Sequence, residues 1–263
     1  MRNLVIVAVV LLLGRVAAAA DCAVLAETGT PVLAGTPHTT LVCHEGYAAL
    51  TDNDLLVPRW VAYRLTTLHT MGCLKPVADF HGEDLLPPDK QAQPEDYRRS
   101  GFDRGHMAPP QDFAWDAGLL RDTDSMVNVA PQLPGLNREG WSRLEQAVDA
   151  WAWTRGELVV FSGPILTPGG DSIGHGRIAV PSAFFKVVFD PRSGEALGFV
   201  MPQRYVAKGN LAGWVTPIAD IEARTGLLLP LPDSVDRQVR PIPWPAEILD
   251  WRRARRLACA PDH

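Results

Sequence analysis

Asp103, Arg104, Gly105 and His106 occupy consecutive positions in the stretch GFDRGHMAPPQDF, residues 101–113, between an aromatic residue and a Pro-Pro pair. A neutral imidazole, with a reference pKa of about 6.5, can take a proton from water near neutral pH. Gly105 permits a close backbone approach beside it. An acid, a cation and a base in one short run could also be an accident of a solvated loop. The choice rests on what the rest of the chain can bring to His106.

A second group with chemical potential lies some thirty residues on. Placing 137–151 on a helix at about 100° per residue puts Trp141, Leu144, Val148 and Trp151 on one apolar stripe. Asn137 and Glu145 fall inside or beside that stripe, and Glu139, Arg143 and Gln146 fall on the far side. An amide and a carboxylate are thus aimed inward, where a carboxylate needs a cation, a metal-bound water or a proton. On the helix alone a helix N-cap at Asn137 and a structural ion pair at Glu145 are the favoured account. Their axial separation, about 12 Å at ~1.5 Å per residue, argues against joint direct ligation of one metal ion. Asn137 could bind directly while Glu145 holds a metal-bound water.

The elements that must position these groups are mostly strands. HTTLVCHEGYAALT reads as strand, turn and strand, and RWVAYRLTT as a third strand. ELVVFSGPIL, SAFFKVVFD and EALGFVMP continue the β pattern, the last two joined by the turn PRSG. DSMVNVAPQLPGLN reads as a buried strand or turn broken by Pro131 and Pro134, and VTPIADIEARTGLLL as a helix ending at Gly226. The Pro-rich stretch Lys75–Ser100 is a functional surface loop rather than a domain linker. Strands with inserted helices, not alternating regularly, predict an α+β fold around a mostly antiparallel central sheet.

Arg2, the apolar run Leu4–Leu13 and the small residues Ala18–Ala20 have the layout of a secretory signal peptide over residues 1–20. Residues 21–263 would then form a single exported domain, periplasmic or extracellular, with no stable membrane association after cleavage. The four cysteines, Cys22, Cys43, Cys73 and Cys259, lie beyond that segment with no Cys-x-x-Cys spacing, which suggests disulfides. Three pairings are open; Cys22–Cys43 with Cys73–Cys259 would leave no thiol free. A net charge of −5 excludes a globally basic nucleic-acid-binding surface. Any polyanion must be met by local cations.

DRGHMAP (Asp103–Pro109), NVAPQ (Asn128–Gln132) and LNREGWSRLE (Leu136–Glu145), followed by FSGPI and IAVPSAFFKV, resemble in order the DNA/RNA non-specific endonuclease family of ββα-metal nucleases. The likeness runs from about Cys43 to about Gly226. It implies a ββα-metal core, with His106 as general base, Asn137 as the one direct protein ligand of Mg2+, for which Mn2+ could substitute, and Glu145 holding a metal-bound water. Arg104 becomes a catalytic candidate, for phosphate contact or loop fixing, with an ion pair to Asp103 or Glu145 as its structural alternative. Asp103, Gly105 and Asn128 would support the loop.

The implied activity is metal-dependent hydrolysis of DNA and RNA with little sequence preference, leaving 5′-phosphate ends. One departure stands out: where many relatives carry an arginine four residues after the helix glutamate, this chain has Asp149. Arg138 or Lys75 could supply the missing phosphate contact. The alternatives are a catalytically weakened nucleic-acid-binding protein on the same fold, favoured by Asp149 alone, and an exported interaction domain, which leaves the ordered motifs unexplained. The oligomeric state is not readable from the sequence.

Overall fold

The computed structural model describes residues 22–35, 37–175 and 177–260, so the signal peptide expected over 1–20 lies outside the described residues. In chain order the elements are α1 (Ala23–Thr28), β1 (Val32–Leu33), β2 (Thr39–Cys43), β3 (Tyr47–Asp52) and β4 (Val57–Thr66). Past the long loop come β5 (Asp103–His106), α2 (Ala117–Asp122), β6 (Val129–Gln132), a π-helical turn over Leu136–Trp141 and α3 (Ser142–Arg155). The remainder is β7 (Glu157–Ile165), β8 (Ser172–Ile173), β9 (Ile178–Ala179), β10 (Ala183–Asp190), β11 (Glu195–Pro202), α4 (Ile218–Thr225), β12 (Leu227–Leu228) and α5 (Ile248–Ala258).

A six-stranded sheet in the order β11-β10-β7-β4-β3-β2, antiparallel at every pairing, carries the fold. Alternation along β4 sends Val57, Val61, Tyr63 and Leu65 to one face and Trp60 and Ala62 to the other. Helices α3 and α5 cover the first face through Leu144, Val148, Trp151, Ile248 and Trp251. The other face is covered by α1 and α4 through Val24, Leu25, Ile218 and Ile221. With both faces buried, β7 and β10 can be almost wholly apolar. The α+β expectation and the placing of its main strands hold, and α4 closes at Gly226, whose φ of 70° favours glycine.

Two local expectations change. Pro131 does not break its strand: β6 pairs only with β5, Pro131 opposite Arg104, so its missing N–H removes no ladder bond from a second neighbour. The helix is not α throughout, because Leu136–Trp141 is wound as a π-helix. A wider first turn shifts the phase of everything before Ser142, so a uniform wheel holds for Leu144, Val148 and Trp151 but not for the angle between Asn137 and Glu145. Both disulfides, Cys22–Cys43 and Cys73–Cys259, are formed, and among the described residues no cysteine is free.

Beneath α3 lies a buried charge cluster. Lys186, on β10 between Phe184 and Val188, is completely buried, and its Nζ donates to the Met107 carbonyl at 3.2 Å. It also lies 5.0 Å from the Trp141 ring centre. Burial lowers the pKa of Lys186, opposed by the nearby carboxyls of Glu145, Asp112 and Asp149. Burial pushes Asp112 up to about 6, with Lys186 pulling the other way. The same burial, opposed by Lys186 and reinforced by Asp112, raises Glu145 to about 8. Asp149, buried and facing Asp112 and Glu145, is raised well above the usual carboxylate range. Glu145 keeps some solvent exposure, so the effect is stronger at Asp149.

A carboxyl whose pKa is raised in the folded state binds its proton more tightly there than in the unfolded chain. The stability it contributes is complete below about pH 4 and is lost as pH rises towards the folded-state value. Asp149→Asn mimics the protonated form at every pH. Its stability relative to the native chain is therefore expected to increase between pH 5 and 8, by up to about 1.4 kcal/mol per pH unit. Urea unfolding of both proteins across that range reads the difference; parallel stability curves would rule out a proton on Asp149.

Candidate active site

The motif segment is held by a buried amide. Asn128, wholly buried at the end of the turn before β6, donates from Nδ2 to the carbonyls of Ala108 and Thr123, both at 2.8 Å, and accepts from the Ala108 N–H at 2.8 Å. Its own carbonyl accepts from the Met107 N–H at 2.9 Å. These bonds lock the chain just after His106. At Gly105 a Cβ would lie 2.6 Å from the Gln132 Cβ, so only glycine lets β5 and β6 approach this closely. With α3 following β6, the order β5-β6-α3 forms the ββα unit that the motifs implied.

His106 leaves β5 at its C-terminal end and finds an acid that the sequence reading missed. Its Nε2 lies 3.1 Å from Asp124 Oδ1. Asp124 is itself buried, and its other oxygen accepts from the Asp79 N–H at 2.7 Å. Burial raises the Asp124 pKa, but the bonds from His106 and Asp79 outweigh it and the net shift is downward. Asp124 is therefore a carboxylate, and the imidazole nitrogen facing it carries the proton. In the neutral ring that leaves Nδ1 with the free lone pair. Phe80 stacks on the ring at 5.2 Å. It is placed there because His81 bridges to Ser125, with the His81 N–H bonded to the Asp124 carbonyl and the Met126 N–H to the His81 carbonyl.

The long loop thus reaches the site, as its length and composition suggested. Together with β5 and the π turn it lines an open groove of about 520 Å³, bounded by Phe80, Tyr97, Arg104, His106, Asp103 and Asn137. A separate concavity of about 510 Å³ around Arg59, Arg177 and Arg224 contains none of the motif residues, so volume alone does not locate the chemistry. Asp103 accepts from Asn137 Nδ2 at 3.0 Å and from Arg138 at 2.8 and 2.6 Å. Burial raises the Asp103 pKa, and its bonds to Arg138 and Asn137 bring it below the ordinary value. A carboxylate can bond only the NH2 end of the amide, so Asn137 Oδ1 is left as an oxygen donor facing away from Asp103.

Arg104 pairs with neither Asp103 nor Glu145. It donates to the Pro94 carbonyl at 2.6 Å and lies 4.9 Å from the Phe80 ring centre, which fixes the loop while keeping the guanidinium in the groove wall. Glu145 does not line the groove; its surroundings are Lys186, Asp112 and Trp141. Asp149 points into the same interior cluster. Arg138 is engaged by Asp103, and Lys75 is exposed beside a neighbouring concavity whose wall includes Asp124. Among the described residues no group of three or more His, Cys, Asp and Glu is arranged to hold a metal ion.

Three residues were passed over. Lys186 was visible as a lone cation inside an apolar strand, a strong sign of a buried counter-charge. Asp112 stood in the motif stretch itself. Asp124, eighteen residues after His106, gave no periodic or motif signal; only the fold pairs them. His44 is bonded to Glu83 at 2.7 Å and lies near Asp122. The carboxylates overcome its burial, and its pKa is raised. That cluster ties the long loop to the turn between β2 and β3 and lies outside the groove.

Comparison with known proteins gives this geometry a family. The sequence model for DNA/RNA non-specific endonucleases matches residues 26–237. Endonuclease G, mitochondrial, of Homo sapiens is 32% identical over 219 residues, covering 78% of this chain and 72% of its own. The Bos taurus protein of the same name is 35% identical over 164 residues, 57% of this chain, and the match covers 55% of its length. The chain thus spans little more than half of that relative. The crystal structure of the EndoG/EndoGI complex superposes with a TM-score of 0.69 at 28% identity, covering 74% of this chain and 86% of that chain.

These names overturn the periplasmic or extracellular location expected from the N-terminus. The human and bovine proteins, together with those of fission and budding yeast, are named as mitochondrial nucleases. The misreading has a physical source. An arginine-bearing segment without acidic residues is common to secretory and organelle-targeting sequences, and disulfides report redox conditions rather than an address. The ordered motifs, the ββα unit and the family match over residues 26–237 agree: the chain belongs to the DNA/RNA non-specific endonuclease family.

Proposed function

We propose that residues 21–263 form one nuclease domain that hydrolyses phosphodiester bonds in DNA and RNA with little sequence preference and leaves 5′-phosphate ends. The observation that carries this reading is the pairing of a histidine held by a buried carboxylate with an asparagine oxygen in the same groove.

His106 takes the proton of the attacking water on Nδ1 while its Nε2–H stays with Asp124, which holds the tautomer and stabilises the imidazolium as it forms. Phe80 restricts rotation of the ring. In-line attack by water needs no 2′-hydroxyl, so both nucleic acids are substrates, and contacts to phosphate carry no direct sequence information. Asn137 Oδ1 suits a hard divalent cation such as Mg2+, which prefers oxygen ligands and retains several waters. When bound, such an ion neutralises charge on the phosphate and acidifies the water that protonates the leaving oxygen. Glu145 stands behind the turn that bears Asn137, outside the groove and among Lys186, Asp112 and Trp141, so it would support that turn rather than ligate the ion. Arg104 presents its guanidinium to the phosphate from the groove wall.

Digestion of plasmid DNA and of RNA with added Mg2+, against an EDTA control, is expected to show cleavage of both that chelator abolishes. His106→Ala should lower kcat by roughly 10²–10⁴-fold while leaving the fold intact. Asn137→Ala should remove most activity and raise the Mg2+ needed for half-maximal rate, with Glu145→Gln milder because an amide oxygen still accepts. If Glu145→Gln is dead and Asn137→Ala responds normally to Mg2+, the carboxylate is the ligand instead.

Asp124 is a positioning residue. Asp124→Leu should depress kcat with KM little changed, and Asp124→Asn, which can still accept from Nε2–H, should recover much of the loss. Native kcat in Asp124→Leu would remove the carboxylate from the mechanism.

A further inference from the structure

The family match ends at residue 237, yet the chain goes on to build a docked helix. Helix α5 carries Arg252, Arg253, Arg255 and Arg256 within its eleven residues, in a chain of net charge −5. Arg252, Arg253 and Arg256 are exposed. Among the described residues no ion pair engages any of the four, whereas Arg59, Arg64, Arg138, Arg155, Arg177 and Arg237 all have acidic partners. Positions 252 and 256, one turn apart with 253 beside them, form a single cationic ridge.

The ridge is rigidly held. Ile248 and Trp251 are buried in the α3-side core, Trp251 Nε1 donates to the Thr70 carbonyl at 3.2 Å, and Arg255 Nε donates to the Gly72 carbonyl at 2.9 Å. The Cys73–Cys259 bridge fastens the far end. Both ends lead back to the groove. Arg252 donates to Gln146 Oε1 at 2.6 Å, and Gln146 stands one turn into α3, the helix that continues the π turn bearing Asn137. Cys73 precedes by two residues the exposed Lys75, whose concavity has Asp124, the partner of His106, in its wall.

We propose that α5 is a second nucleic-acid contact, an arginine ridge that grips the substrate backbone a few nucleotides from the scissile bond. The proposal rests on the nuclease reading above. Nine residues of helix separate Asn137 from Gln146, about 13 Å at ~1.5 Å per residue, or about four nucleotide steps of ~3.4 Å. A short substrate that fills the groove therefore ends before the ridge, while a longer one passes over it. Arginines without acidic partners lose no ion pair on meeting phosphate, and a docked helix has already lost the conformational freedom that binding would otherwise cost. Contacts confined to phosphate add affinity without base preference.

The test uses the full chain carrying His106→Ala, so that binding is read without cleavage. Fluorescence anisotropy of a duplex of about 30 base pairs, in KCl from about 50 to 200 mM, is compared with and without Arg252→Ser, Arg253→Ser and Arg256→Ser together. The triple substitution should raise Kd for the duplex roughly ten-fold or more at the lowest salt and flatten the log Kd against log salt slope by up to about 2.7. Kd for a tetranucleotide should not change, and the corresponding lysine triple should keep most of the duplex affinity.

In the chain with His106 restored, the serine triple should hydrolyse bis(p-nitrophenyl) phosphate at the native rate. Unchanged duplex affinity and slope would overturn the proposal. So would an equal loss on the tetranucleotide, which would mark a damaged fold. Exposed Leu249 and Leu257 flank the ridge, so vesicles of phosphatidylserine and phosphatidylcholine are run alongside. Arginine-dependent vesicle binding with duplex affinity unaffected would assign α5 to a lipid surface instead. Failure of the native chain to cut any nucleic acid, with ridge-dependent duplex binding retained, would defeat the nuclease reading and leave this contact standing.

Discussion

One buried cation constrains the catalytic half of the molecule. Lys186 projects from β10 into the core and is completely buried, and an isolated ammonium there would be too costly to keep charged. It is accommodated because Asp112 comes from the segment after the motif, while Glu145 and Asp149 come from the helix. Sheet, motif segment and helix must therefore sit in one mutual register for the charge to be compensated. Three carboxyls around one ammonium are more acid than the site can hold ionised. Burial raises the pKa of each of the three carboxyls, which makes the cluster sensitive to pH at a point two turns or so from the groove.

That arrangement gives Asp149 a meaning its alignment position did not suggest. An arginine there was expected to reach outwards to phosphate, and an aspartate looked like a loss. In this fold position 149 is interior, next to Asp112, so the acidic residue changes the balance of the buried cluster rather than emptying the groove wall. Other cations lie elsewhere, in Arg104 beside Phe80 and in the arginines of α5 that have no acidic partner among the described residues. Local clusters of cations on an acidic chain favour contact with a backbone over tight, indiscriminate adhesion.

The groove itself depends on polar groups with no freedom left. Asn128 uses both ends of its amide to clamp Ala108, and Asp124 divides its carboxylate between His106 and the Asp79 backbone. Asp103 in turn orients Asn137. Each reactive side chain is set by a neighbour that is bonded elsewhere as well, so the geometry exists before substrate arrives and little ordering remains to be done on binding.

The sequence by itself determined the main strands, a helical run within 137–151 and the antiparallel α+β class, because these follow from hydrophobic period, and its motifs singled out His106 and Asn137 as candidates. The four-cysteine count limited the disulfides to three pairings. Tertiary structure decided which pairing forms, that Pro131 can sit in a strand with one neighbour, and that the helix opens with a π turn. It also decided who faces whom. Asp124 meets His106, Lys186 comes near three carboxyls, and Arg104 stacks on Phe80, all across sequence gaps that no period spans. Periodicity records which face of an element is buried. The partner on the other side is fixed only when separate elements pack, and that is where charge compensation and catalytic orientation are settled.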